Sequence, residues 1–123
     1  MLYAAASHYA NGITASIVYW GGTAGEAAPY FAQPSVAFNA ANWKMSIGIQ
    51  QWIAFYNRGI DAWNSWKRLD YPQLAPASDA LSDIPVRFPY PVNEQNVNRV
   101  NFEAAAAVIG GDEVDTKLWF DKF

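Results

Sequence analysis

The sequence predicts a mostly α-helical fold of about four helices joined by long proline-rich connectors. Apolar residues recur at helical spacing in several stretches, and pairs of glycines stand where two of these stretches end. All seven prolines fall between the helical stretches, where they cannot disturb a helix interior. At 123 residues the chain is expected to be a single domain over residues 1–123, or a fragment of one.

The first predicted helix covers residues 2–20. Tyr9, Ile13 and Ile17 recur at four-residue spacing, which places them on one helix face. Gly12 weakens this helix by about 1 kcal/mol relative to alanine. A glycine pair directly after the stretch supplies the backbone freedom that a helix end requires.

Residues 21–40 are predicted to form a connector, because Pro29 and Pro34 break regular structure. Two roles are open for its aromatic side chains. They pin the connector to the core, or they present a platform to a ligand or partner. The residues concerned are Tyr30, Phe31 and Phe38.

The central predicted helix begins at Trp43 and is apolar nearly all round, so we expect it to be packed on several sides. Gly59 is expected to take the left-handed turn that ends it. Asp61 is then expected to cap a second helix. This helix carries Trp63 and Trp66 on one side, and it stops at Asp70-Tyr71-Pro72 because the residue before proline avoids the helical region.

The remainder of the chain is predicted to be looser. Residues 73–83 are a loop, and residues 84–91 are extended but cannot be a central strand because of their three prolines. Arg87 in this segment is expected to bind carboxylates or backbone carbonyls. A short helical turn is expected from Asn93, and a helix capped by Asn101 is expected to end at a glycine pair.

The last twelve residues read as an acidic turn followed by an aromatic tail that we expect to be docked. Its aromatic residues are Trp119, Phe120 and Phe123.

Composition excludes several classes of function. The formal net charge of −3 argues against a nucleic-acid partner, since such proteins concentrate basic charge. Cysteine is absent, which excludes disulfides, thiol chemistry and lipid attachment within this sequence. No apolar run approaches the roughly 20 residues that span a bilayer. The first residues also lack the pattern of a signal peptide.

Catalytic and metal-binding patterns are weak. His8 is the single histidine, so neither a transition-metal site nor a Ser-His-Asp system is predicted, and no cofactor is implied. A glycosidase would need two facing acids, but nothing in the spacing of the carboxylates selects a pair. The available acids are Asp61, Asp70, Glu94, Glu103 and Asp112. The group Asp112, Glu113 and Asp115 lacks the ligand spacing of a calcium loop.

Four segments, in order, resemble the C-terminal region of the SusD/RagB family of SusD-like outer-membrane lipoproteins. HYANGITASIVYWG is similar to its "YY-x-x-GI-x-AS" pattern, and IQQWIAFYNRGIDAWNSWKRLDYPQL to its "QKWIAL-x-x-x-G-x-EAW-x-x-WRRTGYP" pattern. IPVRFPYPVNEQNVNRVNFEAAAA resembles "IP-x-RF-x-YP-x-x-E-x-x-x-N", and GGDEVDTKLWFD resembles "GGD…T-x-x-WWD". Lys67-Arg68-Leu69-Asp70 departs from the family's Arg-Arg-Thr-Gly, and Phe120 stands where the family often has Trp.

The resemblance implies a surface-exposed protein of the outer membrane that binds oligo- or polysaccharides. It implies a TonB-dependent transporter of the SusC type as partner, and no enzymatic activity. The family fold is mostly α, with tetratricopeptide-like helix pairs and a loop-rich C-terminal part. Because full members are several times longer, the signal peptide and the lipidated cysteine are expected upstream, and this chain is expected to match a C-terminal fragment.

The resemblance also assigns expectations to residues. The residues of the family patterns are expected to be structural, with Asp61, Asp70 and Glu94 as partners for buried arginines. These pattern residues are Gln50, Trp52, Trp63, Arg68, Tyr71, Arg87, Tyr90 and Glu94. Contact with ligand or transporter is expected instead from Trp20, Tyr30 and Phe31, where the family pattern is loosest.

Two alternatives to glycan binding stay open. The chain could be a structural module whose apolar surface packs on further sequence or on another copy of itself. A glycoside hydrolase is retained only because it shares the substrate class.

Overall fold

The structure, a computed structural model, describes residues 2–121, and within that range it contains helices and irregular connectors but no strand. The α-helices are α1 (Leu2–Tyr19), α2 (Ala27–Phe31), α3 (Trp43–Ala54), α4 (Gly59–Leu69), α5 (Val92–Val97) and α6 (Arg99–Ile109). Short 3₁₀ turns lie at Ala24–Glu26 and Trp119–Asp121. The predicted mostly α-helical class is confirmed, although the described residues form six α-helices where about four were expected. The described residues divide into two compact units, one ending at Pro72 and the other beginning at Gln73.

Helix α1 ends at the glycine pair, as predicted. Gly21 adopts a φ of 93°, which an L-residue with a side chain rarely takes. The N–H of Gly22 donates to the carbonyl of Ile17 at 2.9 Å, and the N–H of Gly21 donates to that of Val18 at 3.1 Å. This paired arrangement satisfies carbonyls that the helix end would otherwise leave without donors.

The connector contains a helix that the sequence did not predict. Pro29 was expected to break regular structure, but it is the third residue of α2. A proline is tolerated in the first helical turn because the N–H groups there have no partner within the helix. The preceding 3₁₀ turn begins at a capping box, in which Thr23 and Glu26 bond to each other's backbone and side-chain groups. The prediction of an irregular connector was therefore wrong for this segment.

The turn between α3 and α4 differs from the prediction in two ways. Asn57, with a φ of 65°, takes the left-handed conformation expected of Gly59, which instead begins α4. Asparagine tolerates this conformation better than most residues with a side chain. Asp61 forms no side-chain cap; its carboxylate pairs with the guanidinium of Arg58 at 2.8 Å. Helix α4 does end before Pro72 as predicted, with Asp70 as its left-handed C-cap.

Small residues allow α3 to pack closely within its unit. Gly48 is buried, and a Cβ there would lie 2.7 Å from the Cβ of Tyr71 and 3.4 Å from that of Leu69. The expectation that α3 is packed on several sides is wrong, because Trp52 and Ile53 are 37% and 51% exposed. The buried positions of α3 are its small residues, Ser46 and Gly48, whereas its bulky apolar side chains are half-buried or exposed.

The unit that begins at Gln73 contains α5 and α6. Helix α6 begins earlier than expected, at Arg99, with Asn98 rather than Asn101 at its N-cap. The side-chain amide of Asn101 donates to Oδ1 of Asn98 at 2.6 Å. The helix ends at Gly110, whose φ of 94° matches the predicted glycine stop.

An extended segment precedes α5, as predicted, and Arg87 anchors it. The N–H groups of Val86 and Arg87 donate to the carbonyl of Val114 at 2.8 and 3.2 Å. The Arg87 guanidinium donates to the Asp112 carboxylate at 2.7 Å. The expectation of a carboxylate partner for Arg87 is confirmed, but this partner is not one of the three acids expected from the family patterns. Glu94 instead accepts a 2.8 Å hydrogen bond from the side chain of Asn98.

The aromatic tail is less docked than expected. Trp119 is 79% exposed and Phe120 is 50% exposed. The two rings contact each other edge to face, with centroids 5.6 Å apart. The expectation of a docked tail is therefore wrong for Trp119, and its remaining member, Phe123, lies outside the described residues.

Candidate functional site

A groove of about 570 Å³ lies in the first unit between α1 and α3. Its walls come mainly from one face of each helix, and α2 contributes one side chain at the edge. The lining residues are Ala5, His8, Tyr9, Gly12, Ile13, Ser16, Ile17, Trp20, Tyr30, Ile47, Gln50, Gln51, Ile53 and Ala54. Most of these are apolar and none is Asp or Glu, so the groove offers shape and apolar contact rather than acid–base chemistry.

Two of the three residues expected to contact ligand line this groove. Trp20 is 47% exposed, and its indole N–H lies 3.4 Å from the carbonyl of Ala54, which fixes the ring over the end of α3. The Tyr30 hydroxyl bonds Oε1 of Gln50 at 3.1 Å. Phe31 is half-buried and does not line the groove. Trp20 and Tyr30 therefore share one groove, and Phe31 lies apart from it.

An exposed aromatic cluster surrounds Trp20. Its ring contacts Tyr19 and Tyr56 edge to face, with centroids 5.2 and 5.9 Å away. Tyr19 and Tyr56 are 74% and 69% exposed. We call these three residues the aromatic platform. Neither Tyr19 nor Tyr56 was predicted from the sequence as a contact residue, and only the packing of α3 on α1 brings Tyr56 to Trp20.

Tyr9, a groove residue of α1, holds the connector against that helix. The Tyr9 hydroxyl donates a hydrogen bond to the carbonyl of Val36. The ring of Phe38 lies 5.3 Å from that of Tyr9. Burial, and secondarily the nearby Tyr30, raise the pKa of Tyr9 above its usual value. Phe38 thus takes the pinning role that was one of the two open for connector aromatics.

The acids considered for catalysis have structural partners. Asp61 pairs with Arg58, Glu103 with Arg99 at 2.7 Å, and Asp112 with Arg87. His8, the single histidine, lies on the groove wall. Within residues 2–121 no three His, Asp or Glu side chains converge as a set of metal ligands.

Among the described residues, no helix combines the length and the apolar character that crossing a bilayer requires.

The fold and the groove define a class: an all-helical protein with an open apolar groove edged by aromatic rings, the kind of surface that proteins use for binding. A family model described as "Starch-binding associating with outer membrane" matches residues 2–91. The chain belongs to this SusD-like family. The description of this family names binding to starch and association with the outer membrane. No curated protein matches the sequence.

Solved structures agree with this assignment. A Bacteroidetes SusD-like protein, AC2a, superposes with a TM-score of 0.79 at 31% identity over 96% of this chain. A chitin-binding protein superposes with a TM-score of 0.73 at 30% identity, also over 96%. The matches cover only 26% and 28% of those proteins. The chain thus spans about a quarter of the length of these relatives.

Proposed function

We propose that this protein binds glycan at the outer-membrane surface, as the SusD-like partner of a TonB-dependent transporter of the SusC type. Membership of a family described as starch-binding and outer-membrane-associated carries the proposal. A structural relative that is a chitin-binding protein supports the same ligand class. Membrane attachment is proposed to depend on a lipid anchor in upstream sequence.

The aromatic platform is the proposed contact surface for sugar. One face of a sugar ring carries C–H groups, which pack on the face of an indole or phenol ring, while hydroxyls bond polar groups at the rim. Trp20 is held by the Ala54 carbonyl yet remains 47% exposed, so its position is fixed while much of its surface stays open. Tyr30 is proposed to contact the ligand from the edge of the groove. Phe31 does not line the groove, so its predicted contact with the ligand is tested only as part of a combined variant.

Affinity electrophoresis in gels containing soluble starch or glycol chitin tests the proposal. Retardation of the wild-type chain is expected, and Trp20→Ala should weaken binding about tenfold, the effect of losing one stacked ring. Trp43→Ala is a matched control because Trp43 is also 47% exposed and does not line the groove. If the combined variant Trp20→Ala, Tyr30→Ala and Phe31→Ala binds as well as wild type, this site is wrong.

The transporter partnership needs its own test. Antibody to this chain should co-purify a TonB-dependent transporter from outer membranes solubilised in mild detergent. The same experiment gives the intact mass of the native protein. Recovery of the chain from the outer membrane without such a transporter would contradict the partnership and leave glycan binding standing.

One observation favours a second function, a structural or self-associating module. The groove is lined by four isoleucines as well as by aromatic rings, and such a surface also suits another helix. In that case the mass in solution should rise with protein concentration, and polysaccharide gels should not retard the chain.

A further inference from the structure

A second pocket, of about 240 Å³, lies where the last turn of α3 meets α4. Unlike the groove, it is lined mostly by polar side chains: Gln51, Phe55, Asp61, Asn64, Ser65 and Arg68. We call it the Arg68 pocket. Converging polar groups in a concave site fix the orientation of a ligand and give it specificity.

Helical spacing explains why these residues converge. The four residues from α4 are separated by three, one and three positions, so they follow one face of the helix over two turns. Gln51, in the last turn of α3, and Phe55, the C-cap of that helix, are four positions apart. The phenyl ring of Phe55 supplies the apolar wall, and Arg58 lies over it with its guanidinium carbon 5.3 Å from the ring centroid.

The hydrogen bonds inside the pocket leave donors available. The Ser65 hydroxyl bonds Oε1 of Gln51 at 2.6 Å, so the amide nitrogen of Gln51 keeps two N–H donors. Arg68 and Asn64 are both exposed, and their side chains have no hydrogen-bond or ion-pair partner among residues 2–121. Three neighbouring side chains therefore offer unused N–H groups.

The charge of the pocket favours an anion. The Asp61 carboxylate is bonded by both Nε and Nη2 of Arg58 at 2.8 Å, so its charge is already matched. The Arg68 guanidinium is left as the unmatched charge of the pocket, in a chain whose formal net charge is −3. A guanidinium presents parallel N–H groups that fit both oxygens of a carboxylate.

We propose that the Arg68 pocket binds the carboxylate of an acidic sugar unit, a uronate, with Arg68 as its main donor. Gln51 and Asn64 bond the ring hydroxyls beside the carboxylate, and Phe55 packs on the C–H groups of the sugar ring. This assignment rests on the proposed function, since it names the class of glycan. It gives Arg68 a ligand-binding role in place of the structural one expected from the family patterns.

Isothermal titration of the 123-residue chain with trigalacturonate and with neutral maltotriose tests the assignment. The acidic trisaccharide should bind at least tenfold more tightly at low salt, and the preference should shrink as salt is raised. Arg68→Gln should remove the preference and leave the affinity for the neutral sugar unchanged. Arg99→Gln is the matched control, because Arg99 is an exposed arginine of the other unit.

The outcomes separate this inference from the proposed function. Equal affinity for the two sugars, or an acidic preference that survives Arg68→Gln, overturns the Arg68 pocket while glycan binding stands. Binding of neither sugar also overturns the Arg68 pocket, and the polysaccharide gels then decide glycan binding separately. In a ¹⁵N spectrum, the side-chain amide of Asn64, which lines the Arg68 pocket and not the groove, should shift with trigalacturonate and not with maltotriose, which locates the site independently of any variant.

Discussion

Arg87 and Asp112 form an ion pair of 2.7 Å in which each side chain is only 7% exposed. The same carboxylate accepts the backbone N–H of Tyr90 at 3.0 and 3.1 Å from its two oxygens. The Arg87 guanidinium also lies 5.2 Å from the centre of the Tyr90 ring. One buried carboxylate thus ties the extended segment to the loop after α6, and Arg87 supplies its counter-charge.

Arg87→Ala should destabilise the second unit by about 3–5 kcal/mol, because it leaves the Asp112 charge buried without a counter-charge. Urea denaturation, together with hydrogen exchange of the Tyr90 amide, measures the effect. Arg99→Ala is the matched control: its pair with Glu103 is 77% and 57% exposed, so water screens it and its loss should change stability little. Equal effects of the two substitutions would contradict a structural role for the buried pair.

Two helix-interior glycines should respond to alanine in opposite directions. Gly48→Ala should destabilise the first unit by about 1–3 kcal/mol, because the new Cβ meets the Cβ of Tyr71 at 2.7 Å and its carbonyl oxygen at 3.1 Å. Neither of those atoms can rotate away. Gly12→Ala meets nothing within 4 Å and should stabilise α1 by about 0.5–1 kcal/mol. Thermal unfolding of both variants checks the pair, and a stabilised Gly48→Ala would show that α3 is not closely packed there.

The capping box before α2 should give Glu26 a lowered pKa. The backbone N–H of Thr23 donates to the Glu26 carboxylate at 2.6 Å, and the Thr23 hydroxyl bonds it at 3.0 Å; both favour the charged form. Because the folded pKa is lowered, the stabilisation is present above the unfolded value near 4.5 and is lost as pH falls through the folded value.

A carbon-detected NMR titration of the Glu26 carboxyl measures that pKa. Thr23→Val removes the hydroxyl and keeps the backbone donor, which is the larger cause, so most of the lowering should persist. A pKa at the ordinary value in the wild-type chain would mean that the box does not form in solution.

If the chain self-associates through the groove, a charge placed there should prevent it. Ile53 lines the groove and is 51% exposed, so Ile53→Lys should keep the fold and reduce the concentration-dependent mass in sedimentation. Val108→Lys changes an 85% exposed valine outside the groove and should have no effect. Association that persists in Ile53→Lys would exclude the groove as the contact surface.

The sequence determined what depends on neighbours along the chain. Helical spacing and the glycines at positions 21 and 110 specified α1 and the end of α6, because a residue with positive φ is a local requirement. Order and spacing in the four segments also sufficed to recognise the SusD-like family. Of the three residues expected to contact the ligand, Trp20 and Tyr30 line one groove, whereas Phe31 does not.

Only the tertiary structure decided contacts between distant residues. Arg87 needed a carboxylate, but the choice of Asp112, 25 positions away, depended on the path of the chain between them. Tyr56 joins Trp20 because α3 packs beside α1, and Pro29 lies in a helix because its place in the first turn costs no hydrogen bond. Local preferences constrain the backbone of each segment, whereas the pairing of segments depends on burial and charge summed over the folded chain.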